Sequence, residues 1–199
     1  MIRKAALVCA TVLAMGGMYA HMAATQPEGF GFVPAGGKTL LLGVIASTPA
    51  RADVLALVSA KKNAADWKTF LKDKARAIPV LGRMTESQLT TLASYLSLAA
   101  PIKESMIPKG LDHPAWSQVL PPDGRDLVLN KCQVCHIITV AVTQEKDVRG
   151  WRGLLQTPNH KGVIAAEAEQ EMLGQYLAIN MPIPVEQIPE ALRAGGASY

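Results

Sequence analysis

Apolar residues return at intervals of three and four through most of the chain, and no stretch keeps strict apolar–polar alternation between evenly spaced turns. The pattern predicts helices. After an irregular Gly- and Pro-rich lead-in at 27–37, Lys38 to Ile45 and Asp53 to Ser59 carry helix-like apolar runs. Trp67, Phe70 and Leu71 share helical spacing behind Asp66, which reads as an N-cap. Thr85 and Gln88 form a capping box that opens a helix burying Leu89, Leu92, Ala93 and Leu96, and Pro101 ends it. Pro108, Pro114, Pro121 and Pro122 mark a connecting stretch without periodicity. A helix beginning at Asp123 or Gly124 carries Leu127, Val128 and then Cys132 and Cys135. Trp151 lies on a short helix to about Gln156, a polar turn spans 157–162, and a last helix over about 165–179 presents Leu173 and Leu177 on one face.

The two halves repeat one another. Tyr95-Leu96, Pro101-Ile102, Ile107-Pro108 and Leu111 recur as Tyr176-Leu177, Pro182-Ile183, Ile188-Pro189 and Leu192, at a constant offset of 81 residues. Glu86 and Leu92 match Glu167 and Leu173 at the same offset. With small insertions, Trp67 pairs with Trp151, and Gly37-Lys38 with Gly124-Arg125. The expected fold is all-α, as two tandem helical domains over 26–115 and 116–199. A content of 49% hydrophobic and only 5% aromatic residues, rich in Ala and Leu, agrees with helices.

Residues 1–25 read differently. Arg3 and Lys4 precede an uncharged, mostly apolar run from Ala5 to Ala20, the layout of a secretory signal peptide or an N-terminal anchor. Met18 and Met22 stand at the −3 positions of the possible cleavage sites, where a small residue is preferred, and Gly16 and Gly17 interrupt a length marginal for spanning. Either way the remainder is expected to be exported, which points to the periplasm and removes nucleic acid as a partner. The formal charge of +4 falls to +2 without Arg3 and Lys4. Residues 26–115 hold eleven Lys and Arg against seven Asp and Glu, and residues 116–199 seven against nine. Lys61, Lys62, Lys68, Lys72, Lys74 and Arg76 crowd one stretch, either an ordinary solvated face or a docking surface for an acidic redox partner or anionic lipid.

Export also sets the cysteine chemistry. Beyond Cys9 in the leader, the chain has only Cys132 and Cys135, followed at once by His136. Two thiols at this spacing reach neighbouring edges of one porphyrin, each adding to a vinyl group, and the next side chain falls beneath the iron. His136 is then the proximal ligand of one covalently bound haem c. A zinc site would need two more ligands, and adjacent Cys135 and His136 cannot comfortably serve one tetrahedral ion. A thioredoxin-like site would need a βαβ setting that the flanks do not offer. In the first half Ile45 to Pro49 stands where this motif would be.

On these residues the second half resembles the small class I-like bacterial c-type cytochrome domains. Gly124, the 132–136 motif, Trp151, the 157–162 turn and Tyr176-Leu177 follow the family layout from about Pro121 to Pro184; Pro34 to Pro108 follow it in degenerate form. The chain looks most like the haem domains serving periplasmic dehydrogenases, such as the cytochrome subunit of sulfite dehydrogenases. The resemblance implies a sixth iron ligand, a methionine, a turn or so after the tryptophan. That place falls near Thr157 or Pro158, which cannot bind iron. His160 in the turn and Met181 at the end of the last helix are the substitutes, with Met172 or an open iron as further alternatives.

The expected function is a monohaem electron carrier, not an enzyme, passing single electrons between a dehydrogenase and a downstream acceptor. The alternatives are a non-catalytic haem-bearing docking subunit and a five-coordinate haem sensor. Apart from His136 and the leader, His113 and His160 are the only imidazoles for acid–base chemistry.

Overall fold

The computed structural model describes residues 29–193 except Pro49 and Asp112, with nothing stated for the side chain of His113. The signal or anchor expected over 1–25, with Cys9, lies outside the described residues. Every regular element among those described is helical, and no helix is long and apolar enough to cross a membrane. The helices are α1 (Gly37–Ser47), α2 (Arg51–Val58), α3 (Ala64–Lys74), α4 (Pro79–Gly82), α5 (Glu86–Ala99) and α6 (His113–Val119), followed by α7 (Gly124–Lys131), α8 (Thr139–Val142), α9 (Val148–Leu155), α10 (Pro158–Lys161) and α11 (Glu167–Asn180).

Local chemistry explains where the elements begin. The capping box of α5 is present: the Thr85 hydroxyl accepts from the Gln88 amide, and the Gln88 side chain accepts from the Thr85 amide. Leu89, Leu92, Ala93 and Leu96 are buried as its apolar spacing requires. In α3 the cap is Asn63, whose side chain accepts from the Asp66 amide, so Asp66 sits in the first turn, where a carboxylate favours the positive helix end. The 108–122 stretch contains α6, because Pro114 is tolerated in a first turn and Trp116 is fully buried, its indole donating to Gly110 O at 3.0 Å.

Two three-helix groups meet along one seam. α5 packs on α1 and α3, α11 packs on α7 and α9, and α5 and α11 pack on each other. Equivalent contacts recur in the two groups. Ile102 N donates to Val58 O at 2.8 Å, and Ile183 N donates to Val142 O at 2.8 Å. A Cβ on Gly37 would lie 2.1 Å from Tyr95 Cβ, and one on Gly124 would lie 2.0 Å from Tyr176 Cβ, so each first helix approaches the closing helix of its own group at glycine. Lys62 lies over the Trp67 ring at 5.9 Å and Lys146 over the Trp151 ring at 5.7 Å.

The seam itself is reciprocal. Tyr95 donates its hydroxyl to Pro121 O at 2.9 Å, and Tyr176 donates to Pro34 O at 2.6 Å. Burial raises both phenols well above their ordinary value, so both remain protonated donors. Ser94 donates to Gln175 across the seam, and these two positions are themselves 81 apart. Asp123 caps both groups: its Oδ1 accepts from Asp126 N at 2.9 Å and its Oδ2 from Lys38 N at 2.7 Å. The second bond supplies the cap that Gly36, with no side chain, cannot give α1. Arg125, also buried, donates to Val33 O and Phe30 O.

Candidate functional site

α7 brings the chain to the site. Held at its start by Asp123 and by the contact of Gly124 with Tyr176, it runs eight residues and then tightens into a 3₁₀ turn over Cys132–Val134. Cys132 therefore caps the helix, its amide bonded to Val128 O, and Cys135 follows the 3₁₀ turn that continues it. The tighter winding suits them, because side chains three apart eclipse one another in 3₁₀ geometry, and Cys132 and Cys135 are three apart. Gln133 Nε2 donates to Leu129 O at 2.8 Å and clips the turn to α7. Cys132 is half-buried, Cys135 exposed and His136 half-buried, with Val134 65% exposed between the cysteines.

The turn opens onto a cavity of about 410 Å³. Cys132, Cys135, His136 and His160 all line it, so residues twenty-four apart in the chain share one chamber. The remaining wall is largely apolar, from Val140 on α8, Leu154 and Leu155 on α9, Val163 and Ile164 after α10, and Leu177 on α11. Trp151 also lines it, and its Nε1 is buried without a hydrogen-bond partner. A buried donor left unmade costs on the order of 1–3 kcal/mol. Trp67 Nε1 is equally unpartnered, and the Trp67 side chain is fully buried. Lys131 and Lys146 add positive charge to the cavity lining.

Hydrogen bonding fixes which imidazole nitrogens are free. His136 Nδ1 lies 3.1 Å from Ile137 O. A carbonyl can only accept, so Nδ1 carries the proton and Nε2 keeps its lone pair. The Thr157 hydroxyl donates to Leu154 O at 2.8 Å and lies 2.8 Å from His160 Nδ1. Its one proton is spent on the carbonyl, so it accepts from His160 Nδ1–H, and His160 Nε2 also keeps a free lone pair.

Met181 is outside this cavity: it is 8% exposed, at the end of α11, with its amide bonded to Leu177 O. Met172 packs instead at the seam, beside Gly124 and Tyr176. Burial pushes the Cys132 thiol up to about 11, away from the thiolate that a zinc ligand or redox nucleophile requires. Among the described residues no three His, Cys, Asp or Glu side chains gather into a metal cage.

Of the crowded basic stretch, most members are occupied within the chain. Lys68 and Lys72 pair with Glu86 at 3.0 and 2.6 Å, Lys74 pairs with Asp53 at 2.9 Å, and Lys62 lies over Trp67 and Phe70.

Sequence reasoning noticed Thr157 only as a place where methionine is missing, and it passed over Lys131 and Lys146. The signal was present in the short helices: Ile78-Pro79-Val80-Leu81 aligns on its proline with Thr157-Pro158-Asn159-His160, which sets isoleucine and leucine against threonine and histidine. No protein-family model matches the chain, and no curated protein or solved structure is significantly similar to it.

Proposed function

We propose that the chain is an exported monohaem c-type cytochrome, an electron carrier built as two tandem cytochrome c-like helical domains of which only the second binds haem. The observation that carries this reading is the shared cavity, where both cysteines, the histidine that follows them and a second histidine meet an apolar wall. The residues fit the group. The unpartnered Trp151 indole and the lysines Lys131 and Lys146 suit the two carboxylates of a haem, and the apolar lining suits its macrocycle. The tandem reading is supported by the paired contacts between corresponding residues of the two groups and by the Ser94–Gln175 bond, since a residue touching its own counterpart is what a two-fold arrangement produces.

When bound, the haem supplies one-electron ferric–ferrous chemistry. Cys132 and Cys135 would hold its edge as thioethers, and His136 would present Nε2 to the iron with its Nδ1 proton already committed to Ile137 O. The largely apolar lining would lower the polarity around the group, one of the levers that set a haem potential. Val134 and Cys135 are exposed, so a group held by the two cysteines would lie near the surface, within reach of a redox partner. The partner class is a periplasmic dehydrogenase on one side and an acceptor on the other. Reductive titration of the purified protein should consume one electron per chain, with a single haem chromophore responding. A chain that carries no redox-active chromophore after expression with c-type maturation would overturn the proposal.

A further inference from the structure

We propose that His160 is the second axial ligand of this haem and that the Thr157 hydroxyl is the positioning group that presents His160 Nε2 to the iron, an inference that rests on the cytochrome reading above. Three observations carry it. His160 lines the chamber with Cys132, Cys135 and His136, whereas Met181 and Met172 do not. Its Nδ1 proton is held by a hydroxyl whose own proton is fixed on Leu154 O, so the relay Leu154–Thr157–His160 leaves only Nε2 for a metal.

The third observation comes from the matching helix of the first half. α4 and α10 both begin on proline, and where α10 is entered through Thr157 and carries His160, α4 is entered through Ile78 and carries Leu81. Ile78 and Leu81 are at most 1% exposed and fill the interior. The polar pair thus occurs in the half that has the chamber, and buried aliphatic residues occupy its places in the other half. Thr157 makes no side-chain cap to α10, so its hydroxyl is not needed to start that helix.

Ligating histidines characteristically donate their other N–H to a fixed acceptor, and removal of that acceptor costs about tenfold or more in affinity. The test uses the full chain matured with haem, and denatured samples read by pyridine spectroscopy report attached haem independently of the sixth ligand. The wild type should be low-spin in the ferric state, lack the weak band at the red end of the spectrum that methionine–iron gives, and take up carbon monoxide only weakly when ferrous. His160→Ala should become high-spin and bind carbon monoxide, and added imidazole should restore the low-spin spectrum. Met181→Ala should match the wild type. Thr157→Val should raise the dissociation equilibrium of the sixth ligand, read by carbon monoxide uptake, by about tenfold, and Thr157→Ser should return it to the wild-type value.

A low-spin His160→Ala protein, or a Met181→Ala protein that loses its sixth ligand, overturns the assignment. Carbon monoxide uptake by Thr157→Val equal to the wild type overturns the positioning role. Absence of thioether haem from the denatured wild type overturns the cytochrome reading and this inference with it, whereas haem present with the wrong ligand overturns this inference alone.

Discussion

In the half that carries Trp67, Val54, Leu57, Leu71, Ile78 and Leu81 are at most 1% exposed. Trp151, which likewise has a lysine over its ring and an unpartnered indole, lines a cavity of about 410 Å³. The frames agree in their glycine–tyrosine contacts and in the bonds from Ile102 and Ile183, and the fillings differ. α2 has eight residues where α8 has four, and aliphatic Ile78 and Leu81 replace Thr157 and His160. The same helical frame thus carries different side chains at a few positions, buried Ile78 and Leu81 in one half, Thr157 and cavity-lining His160 in the other.

The largest expected effects come from breaking the shared frame. Gly37→Ala and Gly124→Ala each place a Cβ at 2.0–2.1 Å from a tyrosine Cβ, which no rotamer change relieves. Each should cost roughly 3 kcal/mol or more in denaturant unfolding. Equal, severe losses are expected on both sides of the seam, and a mild loss at either would show that the halves are not framed alike.

Exchanging the fillings comes next. Leu81→His puts an imidazole into a packed interior without a partner and should cost about 2–4 kcal/mol. His160→Leu should leave the stability of the haem-free chain within about 1 kcal/mol of the wild type, because the residue borders open space there. Chemical denaturation of both haem-free variants checks the pair.

The two indoles sharpen the comparison further. Trp151→Phe should lower the stability of the haem-bound protein by about 1 kcal/mol more than that of the haem-free chain, since its Nε1 gains a partner only with the bound group. Trp67→Phe should change both forms by the same amount.

The smallest effect sits at the seam. Burial, and secondarily the Asp126 charge, raise the Asp123 carboxyl above its usual 3.8. The folded chain then holds a proton that the unfolded chain releases, so the contribution of Asp123 to stability is greatest below about 3.8 and falls as pH rises through the raised native value. The advantage of the wild type over Asp123→Asn should therefore shrink on going from acid toward neutral pH, measured by unfolding at a series of pH values.

Much of this was legible in the sequence where one residue type has one job. The capping box at Thr85–Gln88, the apolar face of α5 and the recurrence of Tyr95 as Tyr176 are local patterns with local causes. α6 was hidden because prolines read as breaks, although Pro114 falls in a first turn and Trp116 anchors the helix by burial that only tertiary packing reveals. Asn63 took the cap expected of Asp66 because the helix begins three residues earlier, within the usual uncertainty of an end. At the site, the spacing of Cys132, Cys135 and His136 was plain. What joined His160 to them, and set Met181 apart, was the folding of α10 against α9, which no spacing in the sequence encodes.

The central claim is that one half alone carries haem, and intact-mass and peptide mapping of the full chain matured with a c-type haem system measures it directly. The account predicts a single haem per chain, attached to the peptide containing Cys132 and Cys135, and complete loss of that mass in Cys132→Ala/Cys135→Ala. A wild-type chain recovered folded with both thiols free, or with its cysteines joined to each other, would contradict it.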